Sequence, residues 1–146
     1  MQRNAEFFND IRERNLNIMI QKQFIEHVAG IIQNKPDVLG LAIGGSWINN
    51  EIDEYSDLDL IIVTKEKISH DKNEMINFAK SFGNLLNAFT GEHVGESRLL
   101  ICLFDDPLLH VDIKFLVLKE FYSRVEDPVI FWEKENCLTN IIKSTK

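Results

Sequence analysis

Ser56-Asp57-Leu58-Asp59-Leu60-Ile61-Ile62-Val63 is the stretch on which the reading of this chain turns. Its apolar run, Leu60 to Val63, has the length and branching of a buried strand, and two aspartates stand at its entrance. Residues i and i+2 of a strand point to one face, so Asp57 and Asp59 present both carboxylates to one side while Leu58 and Leu60 pack behind them. Upstream, the short, apolar, glycine-flanked run Val38 to Gly44 reads as another buried strand, and Gly45-Ser46 follows it. The polar segment Trp47 to Tyr55 between the two strands, with Asn49, Asn50, Glu51 and Asp53, reads as a loop after one helical turn that starts at Ser46.

Outward from this pair the period of the sequence changes. Before it, the chain to Ile32 reads as helical, with Phe24, Val28, Ala29, Ile31 and Ile32 as an apolar stripe that stops at Asn34, Lys35 and Pro36. After it, Asp71 with Glu74 has the form of a helix cap. Met75, Ala79, Phe82, Leu86 and Phe89 then recur at spacings of four and three, which predicts one amphipathic helix with Phe78, Phe82 and Phe89 in the core. Gly91 to Ser97 reads as a loop in which Glu92 and Glu96 are solvated charges, the competing role being a general base or a contact to a cationic acceptor. Leu99 to Phe104 is a third strand and Asp105-Asp106-Pro107 a turn. In a fourth strand Val111, Ile113, Phe115 and Val117 alternate with Asp112, Lys114 and Leu116. The tail, Pro128 to Lys146, predicts one more helix. The fold class is α/β (α+β): a single domain with a mixed β-sheet flanked by helices.

Composition bounds the function. A chain of 146 residues is the size of one ordinary domain and can bury a real core. Against 23 Asp and Glu stand 16 Lys and Arg, and the net charge of -7 argues against nucleic acid as a main partner. Cys102 and Cys137 have neither CxxC spacing nor a disulfide framework, which fits a reducing cytoplasm. Met1-Gln2-Arg3-Asn4 lacks the apolar core of a signal peptide, and no apolar run approaches a membrane span. His27, His70, His93 and His110 show no metal-ligand spacing, so no zinc is assigned.

Asp112 carries the chemistry further, because a carboxylate in an otherwise apolar strand is expensive without a partner. Lys114 or a water would serve as a structural partner; a metal would serve as a functional one. If the Asp112 strand lies beside the Asp57–Asp59 strand with its polar face on the same side, three carboxylates converge. Hard oxygen ligands on rigid strands suit Mg²⁺ bound to a nucleoside triphosphate. Gly45 would allow close backbone approach, and Ser46 would offer a hydroxyl and backbone N–H groups to the departing phosphates.

At these residues the chain resembles the nucleotidyltransferase superfamily that shares the DNA polymerase β palm, particularly the small bacterial members that adenylylate aminoglycosides. The shared pattern is a strand ending in Gly-Ser, a loop, Ser-Asp-x-Asp at the next strand and a third Asp on a later one: Gly45-Ser46, Ser56-Asp57-Leu58-Asp59 and Asp112. The resemblance spans roughly residues 38 to 118. It implies a catalytic domain over 1–118 with N-terminal helices and a helical tail over 119–146. It also implies ATP as substrate, Mg²⁺ held by Asp57, Asp59 and Asp112, and Gly45, Ser46 and Ser56 on the nucleotide. Asp112 would be a further metal ligand or the group nearest the acceptor hydroxyl.

The sequence departs from the family pattern where many members carry an Arg and a Gly shortly after the Gly-Ser; here Trp47-Ile48-Asn49-Asn50 stands instead. Trp47 would stack on a base or acceptor, or simply pack in the loop. Drug-modifying relatives also append a helical domain that builds the acceptor pocket. A pocket shared between two chains would make a homodimer, with Phe121, Ile130, Phe131 and Trp132 as apolar candidates for its contact. Glu51, Asp53, Glu54, Glu92 and Glu96 would draw a cationic, hydroxyl-bearing acceptor, and would serve solubility equally well. Two other readings compete with transfer. One is a non-catalytic nucleotide-binding or antitoxin-type regulatory palm acting through a protein partner. The other, a phosphohydrolase with an Asp-x-Asp nucleophile, is disfavoured because its aspartates would follow the apolar run rather than precede it.

Overall fold

The computed structural model describes residues 2–45 and 57–145, with side chains from residue 16 onward. Helix α1 (Gln2–Ile32) leads into β1 (Val38–Ile43), and β2 (Leu58–Thr64) returns antiparallel beside it. Helix α2 (Lys72–Lys80) follows, then β3 (Asn84–Gly91), β4 (Glu96–Asp105) and β5 (Leu109–Val117). Helix α3 (Leu118–Tyr122), β6 (Val129–Glu133) and α4 (Cys137–Ser144) complete the order. All six strands form one sheet in the order β3-β4-β5-β2-β1-β6. Its one parallel pair among the described residues is β2 with β5, so the mixed sheet expected from the sequence is what the chain builds.

Strand alternation divides the molecule. From β2, Leu58, Leu60 and Ile62 point to one face; from β5, Val111, Ile113 and Phe115; from β4, Leu100, Cys102 and Phe104. Helix α1 closes this face with Ile25, Val28, Ala29 and Ile32, and α2 with Met75 and Ala79. Among the described residues the opposite face is covered at one end, where Val63 and Leu116 meet Phe121, Leu138 and Ile141, and the start of β2 and the middle of β5 are left open on that side.

The expected cap of α2 is present: the Asp71 carboxylate accepts from the N–H groups of Asn73 at 2.9 Å and Glu74 at 3.3 Å. Such a cap contributes about 1 kcal/mol. The helix is shorter than its apolar spacing predicts. It ends at Lys80, where the Ser81 hydroxyl donates to the Phe78 carbonyl and Gly83 follows. Leu86 and Phe89 therefore belong to β3, an edge strand, and Phe89 is exposed rather than core.

The 119–146 tail also differs from the all-helical expectation. Its Val129-Ile130-Phe131-Trp132 run pairs with β1 as an edge strand, because β-branched and aromatic residues complete the sheet there. Glu133 then reaches forward to cap α4, accepting from the N–H groups of Leu138 at 3.0 Å and Thr139 at 2.9 Å. A carboxylate suits the positive end of a helix. Of the four apolar residues read as a dimer contact, Phe121 is fully buried, Ile130 and Trp132 pack against the cores, and only Phe131 is exposed. Among the described residues no helix is long and apolar enough to cross a membrane.

Candidate active site

The parallel pairing of β2 and β5 sets Asp59 directly opposite Asp112. Neighbouring strands lie about 4.8 Å apart, so the two carboxylates stand side by side on the open face. Asp57, just before β2, is exposed at the strand entrance. Lys114 follows Asp112 on the same face of β5, paired with Ile61 of β2 and Leu99 of β4.

Crowding of like charge shows in the protonation of the pair. Burial, then the charge of Asp112, then that of Asp57 push the Asp59 carboxyl up to about 6, and Lys114 pulls against them. Asp112 is raised as well, first by burial and then by Asp57, with His110 opposing. Negative charge here exceeds what the neighbouring cations balance.

Gly45, the last described residue before position 57, is fitted to this pair. The Gly44 N–H donates to the Asp59 carbonyl at 3.0 Å, which carries the β1–β2 ladder one step past β1 and brings Gly45 over the Asp59 side chain. Gly45 has φ of 64°, and a Cβ built on it would overlap Asp59 Oδ2. No other residue fits there without displacing the carboxylate. Ser46, Trp47 and Ser56, with Glu51, Asp53 and Glu54, lie outside the described residues.

A cleft of about 470 Å³ opens over the pair, within the range of small-molecule sites. Gly45, Asp59, Asp112, Lys114, Phe121 and Arg124 are among the residues that line it. Its side wall is an ion network. Arg98 donates from Nε and Nη2 to the two carboxylate oxygens of Glu96, at 2.7 and 2.8 Å, and from Nη1 to Glu120 at 3.2 Å. Arg98 holds the Glu96 carboxyl down at about 2, and the two glutamates raise Arg98 further above its ordinary value. Glu120 in turn accepts from the Val117 N–H at 3.1 Å, which ties the wall to the start of α3.

The structure brings Asp59, Asp112 and Gly45 together, with the charge of Asp57 reaching both aspartates, and it gives Glu96 a place other than the solvated loop expected from the sequence. Glu96 opens β4 and is half-buried in the wall. Glu92, on the short 3-10 turn Glu92–Val94, is exposed and does not line the cleft. Arg98 was missed altogether; its signal was the i, i+2 spacing from Glu96, which puts the two on one face of a strand. Lys114 was weighed as a partner for Asp112 but acts on Asp59 and Glu96 instead.

The donor set suits a hard divalent cation: adjacent carboxylates, raised pKa values that cation binding would relieve, and a glycine that leaves the oxygens accessible. Among the described residues no three His, Cys, Asp or Glu side chains close up into a finished metal site, so Asp59 and Asp112 are the pair on which an ion would rest. Chemically, such an arrangement can hold a cation–phosphate complex and accept a proton on a carboxylate.

No protein-family model matches the chain, and no curated protein matches it. Matching solved structures include the 1.40 Å crystal structure of a proposed nucleotidyltransferase from Sulfolobus solfataricus, with 21% identity over 86% of this chain and 88% of that one, at a TM-score of 0.48. A likeness of that size carries no functional weight, and the chain's own carboxylates must carry the reading.

Proposed function

We propose that the chain is a Mg²⁺-dependent nucleotidyltransferase that moves a nucleoside monophosphate, AMP from ATP, to a hydroxyl of a small acceptor. One observation carries this reading: Asp59 and Asp112 stand abreast on parallel strands beneath Gly45, where a Cβ would push the Asp59 carboxylate aside. Mg²⁺ held with the triphosphate would neutralise the carboxylates and polarise the α-phosphorus toward attack. The residues of the chain supply position and proton traffic. Asp59 and Asp112 anchor the complex, with Asp57 adding the third carboxylate at the strand entrance. Gly45 leaves room for phosphate oxygens beside Asp59, and the sequence pattern assigns Ser46 and Ser56 to the nucleotide.

In the reaction, the acceptor oxygen bonds to the α-phosphorus and the bond from that phosphorus to the α,β-bridging oxygen breaks, releasing pyrophosphate. The hydroxyl proton passes to a carboxylate oxygen of Asp112, which lines the cleft on β5 between β2 and β4. The cleft is sized for a small molecule, which favours an antibiotic-like or sugar-like acceptor over a macromolecule.

Thermal unfolding with and without millimolar Mg²⁺-ATP tests the reading first. Ligand at about 100 times its Kd adds roughly 2.7 kcal/mol, a rise of several degrees for a domain of this size. The rise should require Mg²⁺ and vanish in Asp59→Asn, and pyrophosphate release with an accepted hydroxyl compound should vanish with it. Binding without any pyrophosphate release across an acceptor panel would point to the regulatory palm instead.

A further inference from the structure

Three cations line the cleft among the described residues, and two are fully engaged. Arg98 is clamped between Glu96 and Glu120. Arg124 donates from Nε to Asp127 and from Nη2 to Thr145, both at 2.7 Å, with Nη1 turned to the Phe121 carbonyl at 3.5 Å. Lys114 differs. Its ammonium lies 4.0 Å from Glu96 Oε2 and makes no hydrogen bond among the described residues, and its side chain is 38% exposed.

Position gives this lysine its meaning. It sits two residues from Asp112 on the open face, and its charge reaches Asp59. An ammonium is a compact point charge with three donors, and one distant carboxylate leaves donors for a ligand. Three aspartates and a triphosphate are all negative, so a fixed cation beside them answers charge that a divalent ion alone would leave. On the premise that the cleft takes a nucleoside triphosphate, we propose that Lys114 is a phosphate-holding residue. Its ammonium grips a non-bridging phosphate oxygen above the Asp59–Asp112 pair, and Glu96, locked in place by Arg98, aims it there.

The test compares binding of Mg²⁺-ATP, by calorimetry, with binding of Mn²⁺ alone, by electron paramagnetic resonance, in wild type, Lys114→Met, Lys114→Arg and Asp59→Asn. Losing a phosphate contact should weaken Mg²⁺-ATP about tenfold or more in Lys114→Met, near 1.4 kcal/mol. Bare Mn²⁺ should bind that variant at least as tightly as wild type, because a positive charge beside the carboxylates has gone. Lys114→Arg should recover most of the nucleotide affinity. Unchanged Mg²⁺-ATP binding in Lys114→Met overturns the assignment, as does an equal loss of Mn²⁺ and nucleotide, which would mark general damage. If wild type binds no Mg²⁺-ATP, or Asp59→Asn binds it equally well, the nucleotide reading itself fails and the lysine's role with it.

Discussion

The two faces of the sheet are made from the same strands and held to opposite standards. Leu58-Asp59-Leu60 and Val111-Asp112-Ile113 each give two side chains to the closed face and one to the open face. On the closed face the neighbours are Phe78, Phe82 and Phe115 edge to face, and what matters is volume. On the open face the neighbours are carboxylates, an ammonium and a guanidinium network, and what matters is charge. A deletion behind the sheet should leave a cavity, whereas neutralisation in front of it should relieve repulsion. Position on β2 or β5 thus fixes the sign of a mutation's effect on stability.

The sharpest test sets one substitution on each face. Phe115→Ala should cost about 3–5 kcal/mol, read as a lower denaturant midpoint. Asp59→Asn should cost no stability in the metal-free protein at pH 7, yet cut pyrophosphate release by about 100-fold or more, since cation-assisted charge stabilisation is worth several kcal/mol. Equal destabilisation by both would dissolve the contrast.

Gly45→Ala should come next. Its positive φ costs a residue with a Cβ about 1–2 kcal/mol, and the added methyl must push Asp59 aside. Thermal unfolding should show the modest loss, and the Mg²⁺-ATP stabilisation should shrink by more than the fold does.

Acidity separates the faces through Asp59. A carboxyl whose folded pKa, about 6, exceeds its ordinary 3.8 favours the fold fully below pH 3.8, and that contribution is lost as pH rises through about 6. The midpoint difference between wild type and Asp59→Asn should therefore move against wild type from pH 4 to 7, and Mg²⁺-ATP should reverse it at pH 7. A flat difference across that window would mean that neither burial nor the neighbouring carboxylates raise Asp59. The smallest effect is expected at the wall. Glu96, at about 2, supplies stability that is present above its ordinary 4.5 and lost as pH falls toward 2. Glu96→Gln should cost about 1 kcal/mol at pH 7, the upper range for a partly exposed pair with good geometry.

The elements legible in the sequence were those whose burial is one-sided and local. β2 announced itself by a continuous apolar run, β5 by alternation, and Asp112 by its charge in an otherwise apolar strand. β3 did not, since an edge strand with several exposed positions has no clean alternation, and its Leu86 and Phe89 happened to continue the helical spacing from Met75. β6 was hidden for another reason. Its partner is β1, far back in the chain, and no local pattern reports a pairing across that distance. The site was legible where it rests on motif spacing, in Asp57, Asp59 and Gly45. The wall of Glu96, Arg98 and Glu120 was not, because it joins β4 to α3, which lie 22 residues apart at Arg98 and Glu120 and become neighbours in the folded topology.

The pairing of β2 with β5 also determines where this molecule can be divided. Asp57 and Asp59 precede the β3–β4 connection, whereas Asp112 and Lys114 follow it, and Gly95 within that connection faces open space with a left-handed φ of 79°. A backbone cut at Gly95 leaves Asp57 and Asp59 on one fragment and Asp112 and Lys114 on the other, and a one-residue slip on rejoining would turn the aspartates to the wrong side. If the cleft takes a nucleotide as proposed, its capture by the rejoined pieces would report that they have met in register.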